Sequence, residues 1–261
     1  MRLMGEVLNK AKVYLVGAGP GDPELLTIKA RRLLEEADLI VFAGSLVPQE
    51  ILSGLKGELV NSASLSLPEI ISLLSKAAKE GKKVIRLHSG DPSLFGAIAE
   101  EMEELEKQGV ACEVVPGVSS FLAAAAALGC ELTVPEVSQT LIITRASGRT
   151  PVPEKESLKE LSAHQATMVL FLSASLIDKV TKELIEGGYP PETPAACVYR
   201  VGWPEEKIIR APLKELARAV KEADIRKQAL IFVGQVLEPP SGKRSKLYDP
   251  AFTHGFRQPK E

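Results

Sequence analysis

Lys12–Glu36 reads KVYLVGAGPGDPELLTIKARRLLEE. Lys12–Val16 (KVYLV) has the apolar run of a buried strand. Gly17-Ala18-Gly19-Pro20-Gly21-Asp22-Pro23 is a glycine turn, and Leu25–Glu36 carries leucines at 25, 26, 33 and 34 on a helical period. A strand entering a glycine turn and leaving as a helix is the opening unit of an α/β sheet. The alternation continues outward. Leu39–Phe42 (LIVF) predicts a strand, Pro68–Lys79 a helix, Val84–Leu87 a strand, Leu94–Lys107 a helix and Cys112–Val115 a short strand. This order predicts a mostly parallel sheet covered by helices. The second half repeats the style without the sequence. Strands are expected at Thr140–Thr144, Met168–Leu172, Ala195–Tyr199, Lys207–Arg210 and Ala229–Val233, and helices at Glu154–Leu161, Leu176–Glu186 and Leu213–Ala223. The expected division is an N-terminal α/β domain over 1–115, a linker with an Ala-rich helix over 116–137, a C-terminal α/β domain over 138–240 and an extended, basic, Pro-rich tail over 241–261.

Composition narrows the class. The 261 residues are 45% hydrophobic and 25% charged, enough for a large core and unlike a disordered, collagenous or disulfide-stapled chain. A net charge of −2 and 5% aromatic residues argue against a broadly basic or base-stacking nucleic-acid surface. Cys112, Cys130 and Cys197 are odd in number and form no CxxC pair, and His88, His164 and His254 have no ligand spacing. Neither a disulfide framework nor a metal site is expected, and a reducing cytoplasm fits. The longest apolar run, Phe121–Leu128, is too short for a bilayer, and the N-terminus, with Glu6, lacks a signal-peptide core. A soluble protein without nucleic-acid or membrane partners is the expectation.

The first loop invites a dinucleotide reading, but its details disagree. The spacing is G-x-G-x-G and not G-x-G-x-x-G. Pro20 removes an amide, Asp22 puts negative charge where phosphate would sit, and the second strand ends Phe42-Ala43-Gly44 with no acid for a ribose hydroxyl. A neutral or cationic ligand suits this loop better, and a plain tight turn also accounts for it. Gly-Asp-Pro recurs at Gly90-Asp91-Pro92, again between strand and helix. Each Asp can cap the following helix, border a ligand, or do both. Pro116-Gly117-Val118-Ser119-Ser120 forms a third loop, where either serine can cap or bind. Arg145 and Arg149 lie on a glycine-containing loop, and Arg200 follows AACVY; all three can grip carboxylates or simply be solvated. His88 adjoins the second Gly-Asp-Pro loop and reads as a substrate contact or a packing residue. The stretch Glu100–Glu106 (EEMEELE) reads as a solvated face.

Together VGAGPGDPELLT (Val16–Thr27), LHSGDPSLFG (Leu87–Gly96), VVPGVSS (Val114–Ser120), the MVLFL strand and VYRVGWPEEKI (Val198–Ile208) resemble the tetrapyrrole methyltransferase family, in order and over nearly the whole chain to about Pro239. FAGSLV (Phe42–Val47) and TRASGRTPVPE (Thr144–Glu154) resemble the branch that methylates C-11 of precorrin-4 or cobalt-precorrin-4 in cobalamin biosynthesis. The resemblance implies two α/β domains with mostly parallel sheets, S-adenosylmethionine in the cleft between them, S-adenosylhomocysteine as product, a tetrapyrrole substrate and a homodimer. It implies cofactor contacts at Pro20, at Ser89, Gly90 and Asp91 with Leu94 beyond, at Ser119 and Ser120, and at Leu172, Val201 and Ala229. Ser89 stands where relatives commonly have glycine, Leu172 where methionine is frequent, and Val201 where glycine or alanine is frequent. A sulfonium methyl is electrophilic and a reduced tetrapyrrole carbon is enamine-like, so positioning matters more than an activated side-chain nucleophile. C-11 becomes quaternary and the balancing proton leaves elsewhere on the macrocycle. Asp91 is the candidate catalytic group for that charge or proton, and Arg145, Arg149, Arg200 and His88 are the candidate substrate contacts. The alternatives are methylation at C-20 or C-17 or of uroporphyrinogen III, methylation of protein or ribosomal RNA, an NAD-dependent oxidoreductase, and a non-catalytic binding module.

Overall fold

β1 (Lys12–Gly17) is the strand on which the first half is organised. It lies between β4 (Val84–His88) and β5 (Ala111–Val115), and β2 (Leu39–Phe42) and β3 (Glu58–Asn61) complete a sheet ordered β3-β2-β4-β1-β5. Every pairing in it is parallel. Helices cover both faces, which is why the central strands read as continuous apolar runs. Val16, Ile40, Ile85 and Leu87 pack with α1 (Ile28–Glu35) and α2 (Gln49–Leu52). Val13, Leu15, Val41 and Val84 pack with α3 (Leu67–Lys79) and α4 (Ile98–Lys107). The computed structural model describes residues 11–240 together with 245, 252–253, 255 and 257. The expected tail over 241–261, His254 included, otherwise lies outside the described residues, as do positions 1–10.

α5 (Ser120–Leu128) follows β5, and the chain divides within it into two compact units. The first runs to Ala123 and includes Gly202–Pro204; the second holds Ala124–Val201 and resumes at Glu205. The second unit has a sheet ordered β6-β7-β10-β8-β9, from β6 (Leu141–Arg145), β7 (Thr167–Phe171), β8 (Pro194–Tyr199), β9 (Lys207–Pro212) and β10 (Ala229–Val233). Around it pack α6 (Leu158–Ser162), α7 (Ile177–Glu186) and α8 (Leu213–Glu222).

This sheet departs from the expected parallel arrangement. Only β6 and β7 run parallel; β7–β10, β10–β8 and β8–β9 are antiparallel. The connection Arg200–Glu206 is a hairpin, far too short for a parallel crossover. Helix starts also shift. The first helix begins at Ile28 because Thr27 caps it, its Oγ1 accepting from Ala30 N at 3.1 Å. Pro23–Leu25 is instead a separate 3-10 turn capped by Asp22. α4 begins at Ile98, after a loop in which Phe95 and Ala97 hold left-handed φ values of 56° and 53°.

The first sheet's topology marks one place on its rim. β1 leads to β2 on one side, and β4 leads to β5 on the other. The loops leaving these adjacent parallel strands therefore emerge together at their carboxyl ends, where open α/β sheets bind ligands. Among the described residues, no helix is long and apolar enough to cross a membrane.

Candidate functional site

Three loops meet at that place through their backbones. Ala18 N donates to His88 O at 2.7 Å, and Gly19 and Gly90 exchange a reciprocal pair, Gly19 N to Gly90 O at 3.1 Å and Gly90 N to Gly19 O at 2.8 Å. The third loop closes on both. A Cβ on Gly17 would stand 2.6 Å from Gly90 O and 2.7 Å from the Gly117 Cα, and one on Gly117 would stand 2.2 Å from Gly90 O. Only glycine permits this approach. Asp91 fastens the arrangement: Oδ1 accepts from Ser93 N at 2.8 Å and Oδ2 from Gly117 N at 2.9 Å. Both carboxylate oxygens thus hold backbone. Ser119 is buried, Ser120 opens α5, and Leu94 is half-buried one turn beyond Asp91.

The first loop is covered by an aromatic ring. Pro20 is buried, and its carbonyl accepts from Trp203 Nε1 at 3.2 Å. Gly21 has φ +150°, and a Cβ there would stand 2.3 Å from the indole Cδ1. The indole therefore occupies the ground over Gly21, and the Asp22 Oδ1 accepts from Glu24 N at 2.8 Å. An apolar ring and a carboxylate at the loop favour a neutral or cationic ligand over phosphate.

Beneath the second loop lies a buried charged cluster. Arg86 Nε meets Glu101 Oε1 at 2.9 Å, its Nη1 donates to Ser62 Oγ at 2.9 Å, and His88 Nε2 stands 3.2 Å from Glu101 Oε2. That last contact lacks hydrogen-bond geometry, and both atoms are fully buried. The expected solvated acidic face is thus corrected at Glu101, which turns inward on α4 because Arg86 and His88 face it from β4. Burial by itself raises the Glu101 carboxyl, but the His88 imidazole and the Arg86 guanidinium outweigh it and hold it below its ordinary 4.5. A carboxylate depressed in the fold stabilises above its unfolded value and loses that contribution as pH falls through the folded one. Acid titration of thermal stability should therefore fall more steeply below about pH 4.5 in the wild type than in Glu101→Gln. Parallel slopes in the two proteins would contradict this.

In the second unit, Arg145 ends β6 and folds back on its own loop, donating to Thr150 O at 3.1 Å and Pro151 O at 2.8 Å. Ser173 supports the same loop by accepting from Ala146 N at 2.8 Å. Arg149 is exposed on that loop. Leu172, just past β7, is 70% exposed with a left-handed φ of 52°. Arg200 also has a left-handed φ, 47°; its Nε donates to Gln228 Oε1 at 2.9 Å and its guanidinium stacks on Tyr199. Val201 and Ala229 are buried beside it in sequence and across the β8–β10 pair. The residues of the sequence analysis thus lie at strand ends and in the adjoining loops of each unit; His88 is turned into the buried charged cluster, and Ala229 packs in the core of the second unit. Sequence reasoning missed the close glycine packing, Arg86–Glu101 and Trp203. The chain's one tryptophan, beside the glycine of VYRVGWPEEKI, was the available signal for the last.

The chain belongs to the tetrapyrrole (corrin/porphyrin) methylases, whose family model matches residues 12–217. It is 57% identical over 252 residues to the cobalt-precorrin-4 C(11)-methyltransferase of Methanocaldococcus jannaschii, covering 96% of this chain and 97% of that one. It is similar to the X-ray structure of a cobalt precorrin-4 methyltransferase, a cobalamin biosynthetic enzyme, with TM-score 0.86 and 46% identity, covering 90% of this chain and all of that one. It is also similar to the uroporphyrin-III C-methyl transferase of Thermus thermophilus complexed with S-adenyl homocysteine, with TM-score 0.75 and 34% identity over 90% of this chain and 99% of that one.

Proposed function

We propose that this protein is an S-adenosylmethionine-dependent C-methyltransferase of cobalamin biosynthesis that methylates C-11 of cobalt-precorrin-4. The observation that carries the reading is the 57% identity, nearly end to end, to a relative of that name. The solved relative named for the same cobalt-bearing substrate supports the cobalt form over metal-free precorrin-4. The loops of the first unit suit the cofactor by their chemistry: glycines that let three loops pack backbone against backbone, a proline without an N–H, and an indole over the first loop.

The cofactor contacts of the first unit are Pro20, Ser89, Gly90, Asp91, Leu94, Ser119 and Ser120. When bound, the cofactor supplies a methyl group made electrophilic by its sulfonium. The chain's own residues hold it in line and keep water away, which is the larger part of the work when substrate carbon is itself nucleophilic. Asp91 acts as a positioning residue because both its oxygens hold backbone amides. His88, buried against Glu101, is left out of the substrate set. Arg149 and Arg200 meet substrate carboxylates, and Arg145 shapes the loop that presents Arg149. The protein works in the cytoplasm, where its three free cysteines fit a reducing compartment, and as a homodimer, as the family likeness suggests. Sedimentation at twice the chain mass tests the dimer, and a single chain mass would remove it.

Calorimetric titration tests the cofactor reading: S-adenosylhomocysteine should bind and NAD should not. NAD binding in its place would overturn the assignment. Arg149→Ala should raise the substrate KM about ten-fold, the loss of a charge-assisted hydrogen bond, and leave the S-adenosylhomocysteine Kd unchanged. An unchanged KM would remove Arg149 from the site.

A further inference from the structure

The buried cluster beneath the second loop has no part in methyl transfer as described, yet it sits at the loop's root. His88 is the last residue of β4, and Ser89, Gly90 and Asp91 follow it directly. Its carbonyl accepts from Ala18 N, so this one residue belongs to both the first and the second loop. Its imidazole abuts Glu101, and Glu101 is gripped by Arg86. Arg86 reaches Ser62 Oγ at 2.9 Å, and Ser62 Oγ donates to Phe42 O at 3.0 Å. The ends of β2, β3 and β4 and the helix α4 are therefore joined through charged groups where leucine or methionine would pack.

Buried charges are a poor way to gain stability, because desolvation of each ion offsets its pairing. What such a network does supply is a single directional arrangement. The buried Nε2 and Oε2 that face each other at 3.2 Å without a proper hydrogen bond are the kind of exception found where geometry serves function.

We propose that Glu101 and His88 are positioning residues for the cofactor loops: Glu101 fixes the His88 ring, and the His88 backbone sets the register of Gly90 against Gly19. This rests on the cofactor reading above.

The test is S-adenosylhomocysteine affinity followed by the fluorescence of Trp203, the sole tryptophan, whose indole lies on the first loop. Glu101→Gln should raise Kd about ten-fold, a displacement of loop geometry well short of loss of the site. His88→Gln keeps a polar side chain against Glu101 and should stay within about two-fold of the wild type, while His88→Ala, which leaves the Glu101 oxygen facing a void, should match Glu101→Gln. Leu105→Ala, a cavity on the same helix in the apolar core, is the control for simple destabilisation. It should lower Tm and leave Kd unchanged. Should Glu101→Gln fail to fold, the His88→Gln and His88→Ala pair decides alone. Equal Kd values in the wild type, Glu101→Gln and His88→Ala would overturn the inference and leave the cofactor reading standing. A wild type that binds no S-adenosylhomocysteine would overturn both.

Discussion

Gly117→Ala is expected to abolish usable cofactor binding, raising the Kd for S-adenosylhomocysteine by about a hundred-fold or more, the upper end of an overpacking penalty near 3 kcal/mol. The added methyl would stand 2.2 Å from Gly90 O and 2.9 Å from the Gly17 Cα. Neither neighbour can yield cheaply. Gly90 is tied to Gly19 in both directions, and a Cβ on Gly17 would itself strike Gly90 O and Gly117. The obstacle is backbone against backbone, with no flexible side chain to swing away. Calorimetry at 25 °C and a melting curve measure the effect. A Kd within about three-fold of the wild type would show that the three loops tolerate separation and would remove them as the cofactor cradle.

The second large effect concerns Asp91, for which holding two loops and moving a proton predict opposite kinetics. If Asp91 positions backbone, Asp91→Ala strands the amides of Ser93 and Gly117 and should weaken S-adenosylhomocysteine about 10- to 100-fold, at about 1–3 kcal/mol for groups left unsatisfied. Asp91→Asn keeps one carbonyl oxygen and should fall between, with kcat at saturating cofactor reduced less than about ten-fold. If Asp91 moves a proton in the chemical step, Asp91→Asn should lose kcat by about 10²–10⁴-fold with cofactor affinity retained. Steady-state kinetics with both substrates varied separates the two outcomes.

The central sheet strands were readable because burial on both faces leaves an unbroken apolar run, as in LIVF of β2 or ALIFV of β10. β3 was not, because ELVN is an edge strand with three of its residues exposed and no apolar pattern to carry it. The antiparallel insertion of β10 was equally hidden, since pairing direction is set by which strands meet and not by their composition. At the site, the glycine loops and both Gly-Asp-Pro motifs stood out, and sequence offered capping and ligand roles for the aspartates. The structure shows Asp22 and Asp91 accepting backbone amides, with Asp91 also reaching across to Gly117. Glu101 could not be singled out among the acids of EEMEELE, because only the fold brings Arg86 and His88 against that one turn of α4.

The carbon that gains the methyl defines the reaction of this protein. Incubation of the protein with cobalt-precorrin-4 and S-adenosylmethionine carrying a ¹³C-labelled methyl, followed by mass spectrometry and NMR of the corrinoid, tests it directly. One added methyl group is expected, its label on a quaternary carbon at C-11. Label at C-17, C-20 or any other position, or an unmethylated product in a protein that binds S-adenosylhomocysteine, would contradict it.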